Sequence, residues 1–332
     1  MDRITIITAG AAGVSVGLGL KAAGLEDTEI VGASGNGGLL AAASRMGAFD
    51  DTSGNLSSAL KGAGLVVMDL APVDTRELME AIGPVLEDDC VVTDTGTNKV
   101  QVLEWAKSYL REDVSFVGGR PLPREALLEI EDASASIFQG TDYCVIPAED
   151  ARPKAVKTVV GMVDVLGARP LFLSALEHDS FTAAVAHLPR VLSSALVGSV
   201  SASASWREIA RVAGPEFDQV SRLAVGDPRD GAAACLSSPD AVVHWIDQVI
   251  AELSSYRDGV RRGGDGLHDA FANSQEALAR WKADAVVEDK RPAVPGAGQA
   301  LGQMFLGGRL TRRLKQLRGS SNGSEGRRRK DA

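Results

Sequence analysis

Cysteine is scarce: the 332 residues hold three, Cys90, Cys144 and Cys235, scattered without ligand spacing or a pairing pattern. That excludes a disulfide framework, argues against a structural metal, and suits a reducing compartment. Long apolar runs are also missing, and Met1-Asp2-Arg3 passes straight into a strand pattern rather than a secretory signal. The expectation is a cytoplasmic protein without a membrane partner. Positive charge is in deficit, with a net charge of -9, which disfavours nucleic-acid binding by the body of the chain. The exception is the basic C-terminal end, where Arg309, Arg312, Arg313, Lys315, Arg318 and the run Arg327 to Lys330 sit among Gly, Ser and Asn, the composition of a solvated tail. No internal repeat is present.

What is there is a length suited to two domains and the 45% hydrophobic content of a globular protein. The first 175 residues alternate strand and helix patterns, the region 176–290 is helical throughout, and 291–332 holds a Pro/Gly linker (Pro292, Pro295, Gly296), a short amphipathic stretch from Gln299 to Leu317, and the basic tail. The implied fold class is α/β: an N-terminal Rossmann-type dinucleotide-binding domain followed by an all-α dimerisation and substrate domain.

Arg3 to Thr8 is a β-branched apolar run leading into Ala9-Gly10-Ala11-Ala12-Gly13 and a helical continuation. Strand, small-residue turn and helix in this order begin a dinucleotide-binding unit, with Gly10 and Gly13 as the second and third glycines of G-x-G-x-x-G and Thr8 in place of the first. Thr8, Gly10, Ala11, Ala12 and Gly13 are therefore candidate cofactor residues. The second strand, Glu29 to Ala33, ends at Ser34 where an NAD enzyme usually carries a carboxylate for the ribose. Ser34, Asn36 and the backbone of the Gly-rich turn Gly35 to Gly38 can donate to a 2′-phosphate, so NADP is expected ahead of NAD, although a loop that binds nothing has the same composition. A third strand, Leu65 to Leu70, ends in a turn at Pro72, another cofactor candidate, with a helix expected over Thr75 to Val85. Cys90 to Asp94 then delivers Thr95-Gly96-Thr97-Asn98-Lys99 at its carboxyl end, where open α/β sheets bind ligands. Strands are expected over Val114–Val117, Asp142–Pro147 and Arg169–Leu173, the last two bracketing a helix over Arg152–Leu166.

Several of these segments together resemble the prephenate and arogenate dehydrogenases. Thr93-Asp94-Thr95-Gly96-Thr97-Asn98-Lys99 is similar to that family's T-D-x-G-S-[VT]-K, with Thr97 at the Ser position. Gly118-Gly119-Arg120-Pro121 is similar to G-G-H-P, with Arg120 replacing the His that bonds the substrate ring hydroxyl. His178-Asp179, Ala186-His187-Leu188-Pro189-Arg190 and Ser221-Arg222-Leu223-Ala224 resemble H-D, S-H-L-P-H and T-R-[IL]-A, with Ala186 and Arg190 as departures. The resemblance covers roughly residues 3 to 260 and implies an NAD(P)-dependent oxidative decarboxylation in tyrosine biosynthesis by a homodimer.

By that resemblance Arg222 clamps the substrate carboxylate, Arg190 and Lys99 also face substrate, Asp94 lies on the cofactor side, and Thr97 sits beside the nicotinamide. Arg120 occupies the catalytic His position, yet a guanidinium releases no proton near neutral pH and serves as donor or anion ligand instead. His187 is then the candidate for proton transfer, while a lone His on an apolar helix face is also the pattern of a satisfied core residue. Asp218 likewise offers Arg222 a simple surface pair. Three readings stay open: a dehydrogenase of this type, a related dehydrogenase for a more anionic substrate favoured by Arg120 and Arg190, and a non-catalytic nucleotide-binding homologue. No metal ligand set is expected.

Overall fold

The computed structural model describes residues 2–283 except 126, 128 and 227, with backbone only at Pro72 and Val73. The expected linker, the short helix from Gln299 to Leu317 and the basic tail lie outside the described residues. Two compact units emerge among the described residues: one of 2–182 with Val225–Ser238, the other of Ala183–Ala224 and 239–283.

The first unit is built on one sheet of eight strands, β1 (Asp2–Thr8), β2 (Thr28–Ala33), β3 (Asp51–Ser53), β4 (Ala63–Asp69), β5 (Val91–Asp94), β6 (Ser115–Pro121), β7 (Asp142–Pro147) and β8 (Arg169–Phe172). Their spatial order is β3-β2-β1-β4-β5-β6-β7-β8. The first six are mutually parallel, and β7 turns antiparallel to β6 before pairing in parallel with β8. Helices α1 (Ala11–Ala22), α2 (Gly37–Arg45), α3 (Leu56–Leu60), α4 (Pro72–Ile82), α5 (Val100–Tyr109) and α6 (Pro153–Val165) connect the strands. Successive strand residues face opposite sides of a sheet, so Ile6 joins Val14, Leu20, Val67, Val145, Val159 and Val163 in one core, while Ile7 joins Val66, Met68, Met79, Val92 and Val102 in the other. The chain order reverses between β1 and β4, and the carboxyl ends flanking that reversal are where such sheets take ligands.

Two local expectations need correction. The Gly-rich turn after Ser34 is the first turn of α2, because Asn36 is its N-cap and accepts from the Leu39 N–H at 3.1 Å. The helix expected from Thr75 begins at Pro72, whose fixed φ and missing N–H suit a first helical position.

Past β8 the first unit continues through α7 (Ala175–Thr182), later than the boundary expected at 175, since α7 side chains bond into the sheet unit. The second unit opens with a π-helical turn, Ala183–His187, followed by α8 (Leu188–Ser201), α9 (Trp206–Val212) and α10 (Pro215–Ser221). Helix α11 (Pro228–Ser237) belongs to the first unit, while α12 (Pro239–Arg261) and α13 (Leu267–Lys282) complete the second. The expected lack of any membrane-length apolar stretch also needs correction, because the helical run Ala175–Ser201 is long and apolar enough by length and composition. Only 22% of its most apolar window is buried. Small and β-branched residues, rather than a block of large ones, give it that hydropathy.

Candidate functional site

At the sheet reversal, the turn from β1 into α1 is held by a side chain rather than by a first glycine. The Thr8 Oγ1 accepts from the Gly10 N–H at 3.1 Å and lies 2.9 Å from the Gly10 carbonyl, closing the turn that a glycine would otherwise make by backbone freedom. Gly13 is required for a different reason. A Cβ there would meet Thr8 Oγ1 at 2.6 Å and Asp69 Cβ at 2.8 Å, so only glycine lets α1 lie this close to the strand tips. Above Gly10 the space is open, and the N–H groups of Ala11 and Ala12 find no acceptor among the described residues. Two free donors at a helix N-terminus beside an open glycine fit a dinucleotide pyrophosphate.

A residue not singled out from the sequence completes this corner. Asp69, the last residue of β4, accepts from Gly13 N at 2.8 Å, Thr8 Oγ1 at 2.9 Å and Thr95 Oγ1 at 2.6 Å, tying together the tips of β1, β4 and β5. Burial raises its pKa above the ordinary carboxylate value, opposed by these donors. The only sequence signal was an acid closing an otherwise apolar strand. On the ribose side, Ser34 Oγ accepts from Asn36 N at 3.1 Å, leaving its own O–H to donate, and the Asn36 amide nitrogen stays available beyond the cap.

The loop after β5 is fixed from below by a buried ion pair. Lys99 Nζ lies 2.6 Å from Asp94 Oδ2 and donates to the Gly96 carbonyl at 2.9 Å, while Asp94 also accepts from Gly96 N at 3.1 Å and Gly119 N at 3.0 Å. With side chains 0% and 4% exposed, both charges serve the loop. The expectations of Lys99 on substrate and Asp94 on cofactor are corrected accordingly, because each head group is already saturated inside the protein. The paired glycines of β6 make room for this arrangement. A Cβ on Gly118 would sit 2.9 Å from Lys99 Cδ, and one on Gly119 2.6 Å from the Asp94 carbonyl. Thr97 rides half-buried on the loop so held.

Helix α7 anchors the other side. Asp179 accepts from Lys99 N at 2.8 Å and Val100 N at 2.9 Å, capping α5 from eighty positions away, and also meets His178 Nδ1 at 2.7 Å. Burial lowers the His178 pKa, and its Nε2 has no hydrogen-bond partner among the described residues. Arg120, on β6, donates to Thr182 Oγ1, and burial lowers its pKa from the ordinary guanidinium value. The sequence had shown His178-Asp179 as a motif but not its task.

In the second unit His187 is buried at the end of the π-helical turn, a local geometry frequent at functional sites. Arg190 is exposed on α8. Arg222 follows α10, with its side chain 74% exposed and its Nε 3.6 Å from Asp218 Oδ2, the surface pair that the sequence spacing allowed.

Comparison with known proteins agrees with this geometry. Residues 16–171 match the family model described as prephenate dehydrogenase, nucleotide-binding domain, and 174–273 match the one described as prephenate dehydrogenase, dimerization domain. The chain is 24% identical over 263 residues to the prephenate dehydrogenase of Bacillus subtilis, covering 79% of this chain and 71% of that protein. It is 28% identical over 247 residues to the cyclohexadienyl dehydrogenase of Zymomonas mobilis, covering 73% and 83% respectively. Among solved structures, the prephenate dehydrogenase from A. aeolicus in complex with hydroxyphenyl propionate and NAD+ superposes with a TM-score of 0.75 at 21% identity, over 85% of this chain and 98% of that one. Family matches along both units, and a strand-tip turn whose open donors fit a pyrophosphate, lead to one conclusion: the chain belongs to the prephenate dehydrogenase family of NAD(P)-dependent dehydrogenases.

Proposed function

We propose that the protein oxidatively decarboxylates prephenate or arogenate as a homodimer, with NADP preferred over NAD. The observation that carries the dehydrogenase part is the corner at Gly10, where open space and two N–H groups without an acceptor among the described residues lie beside Asp69, which also holds Thr95 at the start of the loop that bears Thr97. A bound nicotinamide would accept the hydride, and the protein's part is orientation, charge and proton handling.

Thr97, on a loop held by the Lys99–Asp94 pair, is assigned to the substrate hydroxyl. Arg120 is assigned to an oxygen or anion of the substrate: it stays charged near neutral pH, so it donates and does not abstract. That leaves the proton to His187, a residue type suited to general acid–base work. Arg222 is assigned to the substrate carboxylate, which a planar pair of donors suits. With Arg120 and Arg190 both standing where the family motif has His, an extra anionic group on the substrate is the second reading. NADP is favoured because Ser34 brings a hydroxyl, and no carboxylate, to the end of β2.

The dimer reading rests on apolar surface. Within the second unit Val212 is 83%, Val260 65%, Phe271 64%, Leu253 60% and Val220 55% exposed, far more than a lone helical unit leaves to water without a partner to cover it. Three free thiols, two of them buried, suit a reducing cytoplasm. Steady-state turnover of prephenate and arogenate with each nicotinamide, following reduced cofactor and released carbon dioxide together, tests the reaction. Reduction without decarboxylation, or no turnover of either compound, refutes it.

A further inference from the structure

The N-terminus of α1 already carries an anion supplied by the chain. Of its first three N–H groups, those of Ala11 and Ala12 have no acceptor among the described residues, while the third, Gly13 N, is held by Asp69 Oδ2 at 2.8 Å. The helix dipole and its free donors attract one negative group, and a pyrophosphate on Ala11 and Ala12 would lie one residue from the half-buried Asp69 carboxylate, close enough for the two charges to repel. We propose that Asp69 competes electrostatically with the cofactor's pyrophosphate, so that this chain takes its dinucleotide together with a proton on Asp69. This rests on the dinucleotide reading above and adds to it a determinant of cofactor affinity.

The hydrogen bonds around Asp69 are compatible with both protonation states. Thr8 has one hydroxyl proton and two acceptors in reach, Asp69 Oδ2 and the Gly10 carbonyl, each at 2.9 Å. With Asp69 ionised, Thr8 donates to it. With Asp69 protonated, the carboxyl O–H can donate to Thr8 Oγ1 while Thr8 turns its proton to the Gly10 carbonyl, and the turn keeps its shape. Thr95 Oγ1 continues to donate to Oδ1 in either state. The proton comes from solvent on binding and returns on release.

Among the described residues, the charged and titratable neighbours do not offer another partner. Helix α1 carries no ionisable side chain before Lys21. On β5, Asp94 is neutralised by Lys99. On β7, Tyr143 has its pKa raised by burial and then by Asp94 and Asp69. On α4, Asp74 is exposed in the first turn. Burial has already raised the Asp69 pKa, and a second anion raises it further. The sign follows: affinity is highest below the free-state pKa of Asp69, falls up to tenfold per pH unit as pH rises through the interval to its bound-state pKa, and is flat above that.

The test is calorimetric titration of the full-length protein with NAD, which lacks the 2′-phosphate and its own titration, at pH 6.0 and 8.5 in buffers of different ionisation enthalpy. The expected result is net proton uptake with affinity about tenfold or more weaker at pH 8.5. Asp69→Asn keeps an acceptor for Gly13 N without the charge, and should abolish the uptake and bind NAD at pH 8.5 about tenfold tighter than the parent. Binding by the variant alone also supports the proposal. Binding by both proteins without uptake and with equal affinity, or uptake that persists in the variant, overturns it while leaving the dinucleotide site standing. Failure of both folded proteins to bind millimolar NAD overturns the proposal and the dinucleotide reading together. Should Asp69→Asn not fold, the proton count of the parent protein decides alone.

Discussion

Replacing Lys99 by Met separates a loop-holding cation from a substrate-binding one. Its ammonium is the only cationic partner of Asp94 among the described residues, at 2.6 Å with neither side chain more than 4% exposed. Removing it leaves a buried carboxylate that still accepts from Gly96 N and Gly119 N, so the loss should fall at the low end of the ~3–5 kcal/mol seen when one member of a buried pair is deleted. At about 2–4 °C per kcal/mol for a chain of this size, ~3 kcal/mol corresponds to a melting temperature lower by roughly 6–12 °C. Asp94→Asn in the same background should recover at least half of that, because a neutral amide does not need the missing charge. Urea unfolding followed by far-UV circular dichroism gives the free energies, and steady-state kinetics on the folded fraction gives the rest. A Lys99→Met protein that melts within 2 °C of its parent, with substrate KM raised, would refute the structural assignment and return Lys99 to the substrate.

The remaining expectations are more compact. Arg222→Ala should lower kcat/KM by roughly 2–4 kcal/mol with melting little changed, since its exposed pair with Asp218 contributes only about 0.3–0.5 kcal/mol; intact turnover would make Arg222 structural. Ser34→Asp should weaken NADP binding at least tenfold and leave NAD within a few-fold, measured by titration of both nucleotides. Light scattering at low micromolar concentration should give a dimer, and a monomer would leave the exposed residues of α12 and α13 without the proposed cover. His178 is held neutral by burial, so below about 6.5 the unfolded chain gains a proton that the fold does not. Unfolding free energy should therefore drop between pH 7.5 and 5.5, and His178→Gln should flatten that drop if the assignment is right.

How much of this the sequence discloses depends on whether a feature is local. The strand, turn and helix at residues 2–22 are legible because they obey short-range rules of periodicity and turn chemistry, whereas Gly118 and Gly119 stand out only through the family-like motif, and their packing role shows only in the structure. Strand β3 escapes because three residues are too few to show a period. Helix α2 hides behind Gly37 and Gly38, although Asn36 three residues ahead of Leu39 was a cap signal in plain sight. The roles of Lys99 and Asp179 are out of reach of any local rule. Nothing in Asp94 to Lys99 says that the lysine folds back onto its own strand, and nothing in His178-Asp179 says that its carboxylate caps a helix eighty residues earlier. Motif matching alone, which puts Lys99 toward substrate, goes wrong where a charge within the motif does its work inside the protein.

The departure at the first glycine has a different explanation from lost function. Seen alone, Thr8 is a defect in G-x-G-x-x-G; seen with Asp69, it is half of a paired change. The hydroxyl closes the turn through Gly10 and simultaneously satisfies a half-buried carboxylate that would otherwise lack one of its donors. A glycine at position 8 would keep the turn and strand that carboxylate with one donor fewer, whereas an apolar residue at 69 would keep the core and leave the hydroxyl with the Gly10 carbonyl alone. The two residues are thus expected to be non-additive: Thr8→Gly should cost more stability in the presence of Asp69 than with Leu at 69, and a double-mutant cycle reads the difference directly. A coupling of zero would mean that the two side chains meet without depending on each other, and the imperfect glycine motif would again need an account of its own.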